Sequence, residues 1–232
     1  MVELWFARNR ACFDEEVPNL VQFKLRMMQF PKENSVRMKG TINGSMYDMS
    51  IMTLFGIKGL KAKTAMVKEC SFQFPEPNQV LICCDGASKG NPGKSGYGFV
   101  GRSNTGSYLG AEAGGLGIAT NYIAEVMALI YAGEWAVRRQ FLNVCFSLDS
   151  KAVLQAFSSG NVPWIVKNRW ERIQKKLQSI SFRHSFREVN FSADKMAKKG
   201  ASLRRGKVIV YEEKPAILGE LECENQAYFR FF

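Results

Sequence analysis

The chain has a single histidine, His184, in 232 residues, and its six cysteines are scattered with no CxxC pair. That combination argues against a zinc ribbon and leaves Cys83, Cys84 and Cys145, which sit in apolar runs, to read as reduced core thiols. No apolar run approaches the length needed to cross a bilayer, and Met1 to Val17 carries charges of both signs where a secretory leader would be apolar. The expectation is a soluble protein with no membrane contact, intracellular (nuclear or cytoplasmic) and not secreted. Acidic residues are also in short supply: 21 against 32 lysines and arginines, a formal charge of +11. Such a balance fits a polyanionic partner, nucleic acid first among them, and equally fits a basic solvated surface.

Against that basic background, four carboxylates stand in settings that a lone carboxylate does not explain. Asp85 ends the apolar and thiol run Val80 to Cys84 and precedes a glycine-rich turn, and Asp149 ends a second run, Val144 to Leu148. Runs of this kind are central strands covered on both faces. If the two lie side by side, their terminal carboxylates meet at one edge of a sheet, where open α/β folds keep their sites. Glu125 falls near the start of a stretch, Ile123 to Val137, that is apolar nearly all round and therefore reads as a buried helix. An ionised carboxylate there needs a cation or hydrogen bonds, and a bound metal ion is one solution. Placement at the positive end of the helix dipole is the other. Asp194, on a helix that Asn190 could cap, completes the set.

The chain divides by pattern into residues 1–77, a helical extension and linker; 78–203, a strand–strand–strand–helix–strand–helix–helix–strand–helix series; and 204–232, a tail that packs or dangles. The middle part implies an α/β fold with a mixed five-stranded sheet and helices on both faces.

The ordered segments DGASKGNPGKSGYG, TNYIAE, SLDS and HSFREVNFSAD together resemble type 1 ribonuclease H, and specifically the plant-type ribonuclease H domains related to the C-terminal end of non-LTR retrotransposon polyproteins. The likeness runs from about Val80 to Ser202, and ELWFARNRACF resembles the segment just upstream of such domains, so the chain looks like the detached tail of a retroelement. The resemblance implies an endonuclease that hydrolyses the RNA strand of RNA/DNA hybrids with two Mg2+ ions, Mn2+ being an alternative, and with no small-molecule cofactor. It implies Asp85, Glu125, Asp149 and Asp194 as catalytic metal ligands, and His184 in proton transfer or product release. Ser88, Asn91 and Asn121 would meet the RNA strand in the minor groove, and Thr120 a DNA phosphate. A monomer is expected.

Two features depart from that family. The interval from Asp149 to His184 is short and has no basic helix-loop insertion, although Lys167, Arg169, Arg172, Lys175 and Lys176 offer a basic face, and HSFREVN lacks the glycine-rich loop of bacterial members. Trp164 reads as core or as a stacking surface. Two rival readings stand beside the nuclease. One is a catalytically weak or inactive nucleic-acid-binding module left by a retroelement. The other is a nuclease of the integrase or exonuclease kind on the same fold.

Overall fold

The computed structural model describes residues 2–42, 44–58, 60–62 and 67–231. They form two compact units, one up to residue 66 and one from Val67 onward. The first unit contains helices α1 (Val2–Phe13), α2 (Leu20–Asn34) and α3 (Met46–Phe55), with two short paired strands, β1 (Thr41–Ile42) and β2 (Lys61–Ala62). Asn19 caps α2 by accepting from the amides of Val21 and Gln22, and Ser45 caps α3 through the Asp48 amide. Neither α2 nor α3 has a buried residue.

The second unit holds the core. Its strands are β3 (Val67–Cys70), β4 (Val80–Gly90), β5 (Gly93–Arg102), β6 (Tyr108–Ala119), β7 (Asn143–Leu148), β8 (Ser179–His184), β9 (Val208–Tyr211) and β10 (Tyr228–Phe231). Four helices alternate with them: α4 (Asn121–Arg138), α5 (Lys151–Ser158), α6 (Trp164–Gln174) and α7 (Phe191–Ala201). The main sheet has the order β8-β7-β4-β5-β6-β9; β4, β7 and β8 run parallel, and β5, β6 and β9 join antiparallel. The two apolar runs do lie side by side, with Val80 opposite Val144 and Cys83 opposite Ser147.

One sheet face packs under α4, α5 and α6 through Ile82, Phe99, Leu129, Trp135, Phe146 and Trp170. Beneath α7 the opposite face buries Val100, Ala113 and Met196. Backbone approaches backbone where side chains are missing: a Cβ on Gly86 would overlap the main chain of Ala124 and Glu125, and one on Gly98 would overlap that of Met196 and Ala197.

The sheet therefore has six strands, one more than the pattern of residues 78–203 implies, because β9 from the tail pairs with β6. The boundary also differs from 77/78. Residues 67–70 pair with β10 at the other end of the unit, Tyr228 opposite Cys70, so the tail and the linker join the same body. Glu222 of the tail is fully buried. It accepts from the amide and hydroxyl of Ser192 at 2.7 and 2.8 Å, so this tail residue serves the first turn of α7. Asn190 makes no side-chain cap there; its side-chain amide donates instead to the Cys84 carbonyl at 3.0 Å.

Candidate active site

The middle of one strand, the end of another and the start of a helix bring the acidic residues together; Asp85 does not end its strand as the apolar run implies, because β4 continues through the glycine-rich segment to Gly90 in pairing with β5. Asp85 lies on β4, Asp149 just past β7, and Glu125 in the first turns of α4, which the missing side chain of Gly86 lets come close. One carboxylate oxygen of each lies within 4.8 Å of the other two. Asp85 and Glu125 are only 2% and 4% exposed, and Asp85 Oδ2 and Glu125 Oε2 are buried with no hydrogen-bond partner among the described residues.

This arrangement disfavours charge. Burial, then the neighbouring Asp149 and Asp194, push the Asp85 carboxyl well above the usual range. Glu125 is pushed up to about 9 by burial first and then by Asp85 and Asp149. Asp149 is raised by burial, against the pull of Arg187. Converging buried carboxylate oxygens, two of them with no hydrogen-bond partner among the described residues, form an all-oxygen donor set that suits a hard divalent ion. The residues present fit such an ion.

Asp194, at the start of α7, stands beside this trio with its own partners. Its Oδ2 accepts from Lys198 Nζ at 2.5 Å, and Arg187 Nη2 lies 3.8 Å from its Oδ1. His184 ends β8 edge-on to Phe186, with ring centroids 5.4 Å apart, and its positive form would lower Asp149.

The four residues expected to touch nucleic acid gather where the β4–β5 hairpin meets the start of α4. The Asn121 amide donates to Asn91 Oδ1 at 3.1 Å, and Thr120 caps α4 through the Ile123 amide. Ser88 shares its hydroxyl proton between the carbonyls of Gly90 and Ala119 at 2.6 and 2.9 Å. These bonds fix the hairpin against the helix, and both Asn91 and Asn121 remain exposed. Trp135 is core, whereas Trp164, the first residue of α6, is 87% exposed.

Sequence reasoning missed Arg187 and Lys198. Arg187 acts on three carboxylates at once, opposing the rise of Asp85, Glu125 and Asp149. Its place three residues after His184 in HSFREVNFSAD was visible in the sequence, but nothing local to that turn between β8 and α7 indicated that it faces the carboxylates. Lys198 was legible as the i,i+4 partner of Asp194.

Comparison with known proteins agrees with this geometry. A family model described as reverse transcriptase-like matches residues 83–200. A ribonuclease H of Acidovorax is 34% identical over 146 residues, covering 53% of this chain and 95% of that protein. A bifunctional protein of Mycobacterium tuberculosis is 32% identical over 114 residues, 49% of this chain, and the match spans only 30% of that longer protein. Among solved structures, the N-terminal RNase H domain of that mycobacterial protein, fused to maltose-binding protein, superposes with a TM-score of 0.50 at 29% identity, covering 53% of this chain and 93% of that one. The chain belongs to the ribonuclease H family and carries its reverse transcriptase-like domain across residues 83–200.

Proposed function

We propose that this protein is an endonuclease that cleaves the RNA strand of RNA/DNA hybrids, leaving a 5′ phosphate and a 3′ hydroxyl, and that it works as a monomer inside the cell. The observation that carries the reading is the convergence of Asp85, Glu125 and Asp149, two of them buried with oxygens that lack a hydrogen-bond partner among the described residues. Relatives named ribonuclease H support the substrate class.

Asp85, Glu125 and Asp149, with Asp194 beside them, are the residues that would hold Mg2+, or Mn2+, ions. Bound there, such ions supply an activated water and neutralise charge on the phosphate and the departing oxygen. Glu125, held at the start of α4, orients the attacking water. His184, at the end of β8, passes a proton at the leaving 3′ oxygen or eases product release. Arg187 and Lys198 hold Asp194 in place through opposite charge. Ser88, Asn91 and Asn121 meet the RNA strand, where contact with the 2′-hydroxyl tells RNA from DNA, and Thr120 meets a phosphate of the DNA strand. The NPG hairpin and the TN pair ahead of Glu125 favour ribonuclease H over a nuclease of the integrase or exonuclease kind, and the resemblance of ELWFARNRACF to the segment upstream of such domains supports derivation from a plant-type non-LTR retroelement.

The test is incubation of the purified protein with a labelled RNA/DNA hybrid, single-stranded RNA and duplex RNA, with Mg2+ or EDTA, beside Asp85→Asn and Asp149→Asn. Metal-dependent cutting confined to the RNA of the hybrid, and lost in both variants, is the expected result. Turnover retained in Asp85→Asn would sink the ligand assignment. Hybrid binding without cutting would replace the nuclease by a non-catalytic binding module.

A further inference from the structure

A second feature of the nuclease unit lies away from the carboxylates. Lys89 near the end of β4 stands directly opposite Lys94 on β5, and Lys94 stands opposite Ile118 on β6. Residues side by side across strands share a face, so the two lysine side chains leave the sheet as neighbours. Like charges directly opposed on an antiparallel pair are destabilising. The turn after α7 then adds Arg204 and Arg205 beside them. Its position is fixed by backbone bonds: the Gly206 amide donates to the Gly115 carbonyl and the Gly115 amide to the Lys207 carbonyl, both at 2.9 Å.

Gly117, with a φ of +83°, leaves the space that the aliphatic stem of Arg205 occupies; a Cβ there would stand 3.1 Å from Arg205 Cδ. Together Lys89, Lys94, Gly117, Ile118 and residues 201–205 line a groove of about 500 Å³ with no acidic residue in its wall. All four cations are exposed, and none forms an ion pair among the described residues. Some other basic side chains of the unit do have an acidic partner: Lys198 and Arg187 share Asp194, Arg169 pairs with Glu134, and Arg138 with Glu112. Four cations without an ion pair among the described residues, gathered from three separate segments and two of them on directly opposed positions of a strand pair, are a cost to the fold that an anionic ligand removes.

We infer that this groove binds the phosphate backbone of the nucleic acid beside the cleavage site. Lys89 follows Asp85 by four residues on one strand, which places it about 13 Å along, at roughly 3.3 Å per residue, and on the same face. That is about four base steps at roughly 3.4 Å each along one strand. A hybrid held at the carboxylates would therefore extend over Lys89 and Lys94 to Arg204 and Arg205. The inference rests on the hybrid reading for its substrate, while the groove's preference for a polyanion rests on the charges alone.

Affinity for a labelled 20-base-pair RNA/DNA hybrid, read by fluorescence anisotropy in EDTA between 50 and 300 mM KCl, tests the groove without any cleavage. Each phosphate that a cation of the groove neutralises steepens the fall of log K with log salt by about 0.9. The variant K89S/K94S/R204S/R205S should therefore lose about 3 to 4 units of slope and bind at least ~10-fold more weakly at 100 mM KCl. The charge-preserving K89R/K94R/R204K/R205K should keep the wild-type slope. If the fourfold serine variant does not melt like wild type, K89S/K94S and R204S/R205S separately should each lose about half as much.

A wild-type slope in serine variants that melt normally would overturn the inference, as would a wild-type protein that binds no hybrid. A groove-dependent slope in a protein that never cuts hybrid in Mg2+ would instead sink the nuclease and leave the groove standing. Cutting with no groove dependence would do the reverse.

Discussion

At the scale of single residues, the site is governed by the cost of crowding carboxylates in a dry place. Glu125 is raised to about 9 in the folded chain, against roughly 4.3 for a free glutamate, and Asp85 moves in the same direction. A carboxyl whose folded value is raised contributes stability that is complete below the unfolded value and is lost as pH rises through the folded one. In EDTA the melting temperature should therefore fall as pH is raised from about 5 toward 9, and millimolar Mg2+ at pH 8 should restore it by favouring the ionised forms. Asp85→Asn should flatten both responses. A melting temperature indifferent to pH and to Mg2+ in wild type would argue against a cation site. The identity of the acidic residues could be read from sequence because each ends a strand-like run or begins a buried helix. The unpartnered state of Asp85 Oδ2 and Glu125 Oε2 could not, since it depends on what every neighbouring segment fails to provide.

At the scale of elements, close backbone approach and one buried ion pair hold the site. Gly86 lets α4 sit against β4, and a methyl group there would strike the main chain of Ala124 and Glu125. Gly86→Ala should cost about 1 to 3 kcal/mol in urea denaturation. It should also lower cleavage by roughly 10²-fold, because a shift of about 1 Å in Glu125 is enough to do so. Unchanged cleavage would show that α4 can give way without moving Glu125.

Glu222 caps α7 and lies 3.8 Å from Arg102, both nearly inaccessible to solvent. Arg102 also rests on the rings of Phe72 and Phe74, each 5.1 Å away, and donates to the Glu222 carbonyl. Glu222→Ala leaves that guanidinium and the Ser192 amide without their carboxylate, so about 3 to 5 kcal/mol should be lost in a denaturant melt. A loss below about 1 kcal/mol would mean that water replaces the carboxylate. The central strands and α4 were legible from their periodicity; β9, β10 and the Glu222 cap were not, because short edge strands and caps drawn from distant sequence have no local pattern.

At the scale of the whole molecule, the two units differ in what supports them. Every buried apolar side chain among the described residues lies from Cys70 onward, whereas α2 and α3 bury none. A fragment of residues 67–232 should accordingly melt cooperatively within a few degrees of the full chain and retain hybrid cleavage. A fragment ending at residue 203 should fail to fold, because it lacks β9, β10 and Glu222. A stable 1–203 fragment would contradict the integral role given to the tail. By itself the sequence determined that central strands would carry Asp85 and Asp149, that a buried helix would carry Glu125, and that the chain would be basic; these are consequences of local periodicity and composition. Only the tertiary structure decided which distant segments close the body, that Arg187 faces the carboxylates, and that Lys89, Lys94, Arg204 and Arg205 share one groove. Those outcomes depend on strand order and register, which bring together residues as far apart as 89 and 205, and chain-local patterning holds no information about such pairings.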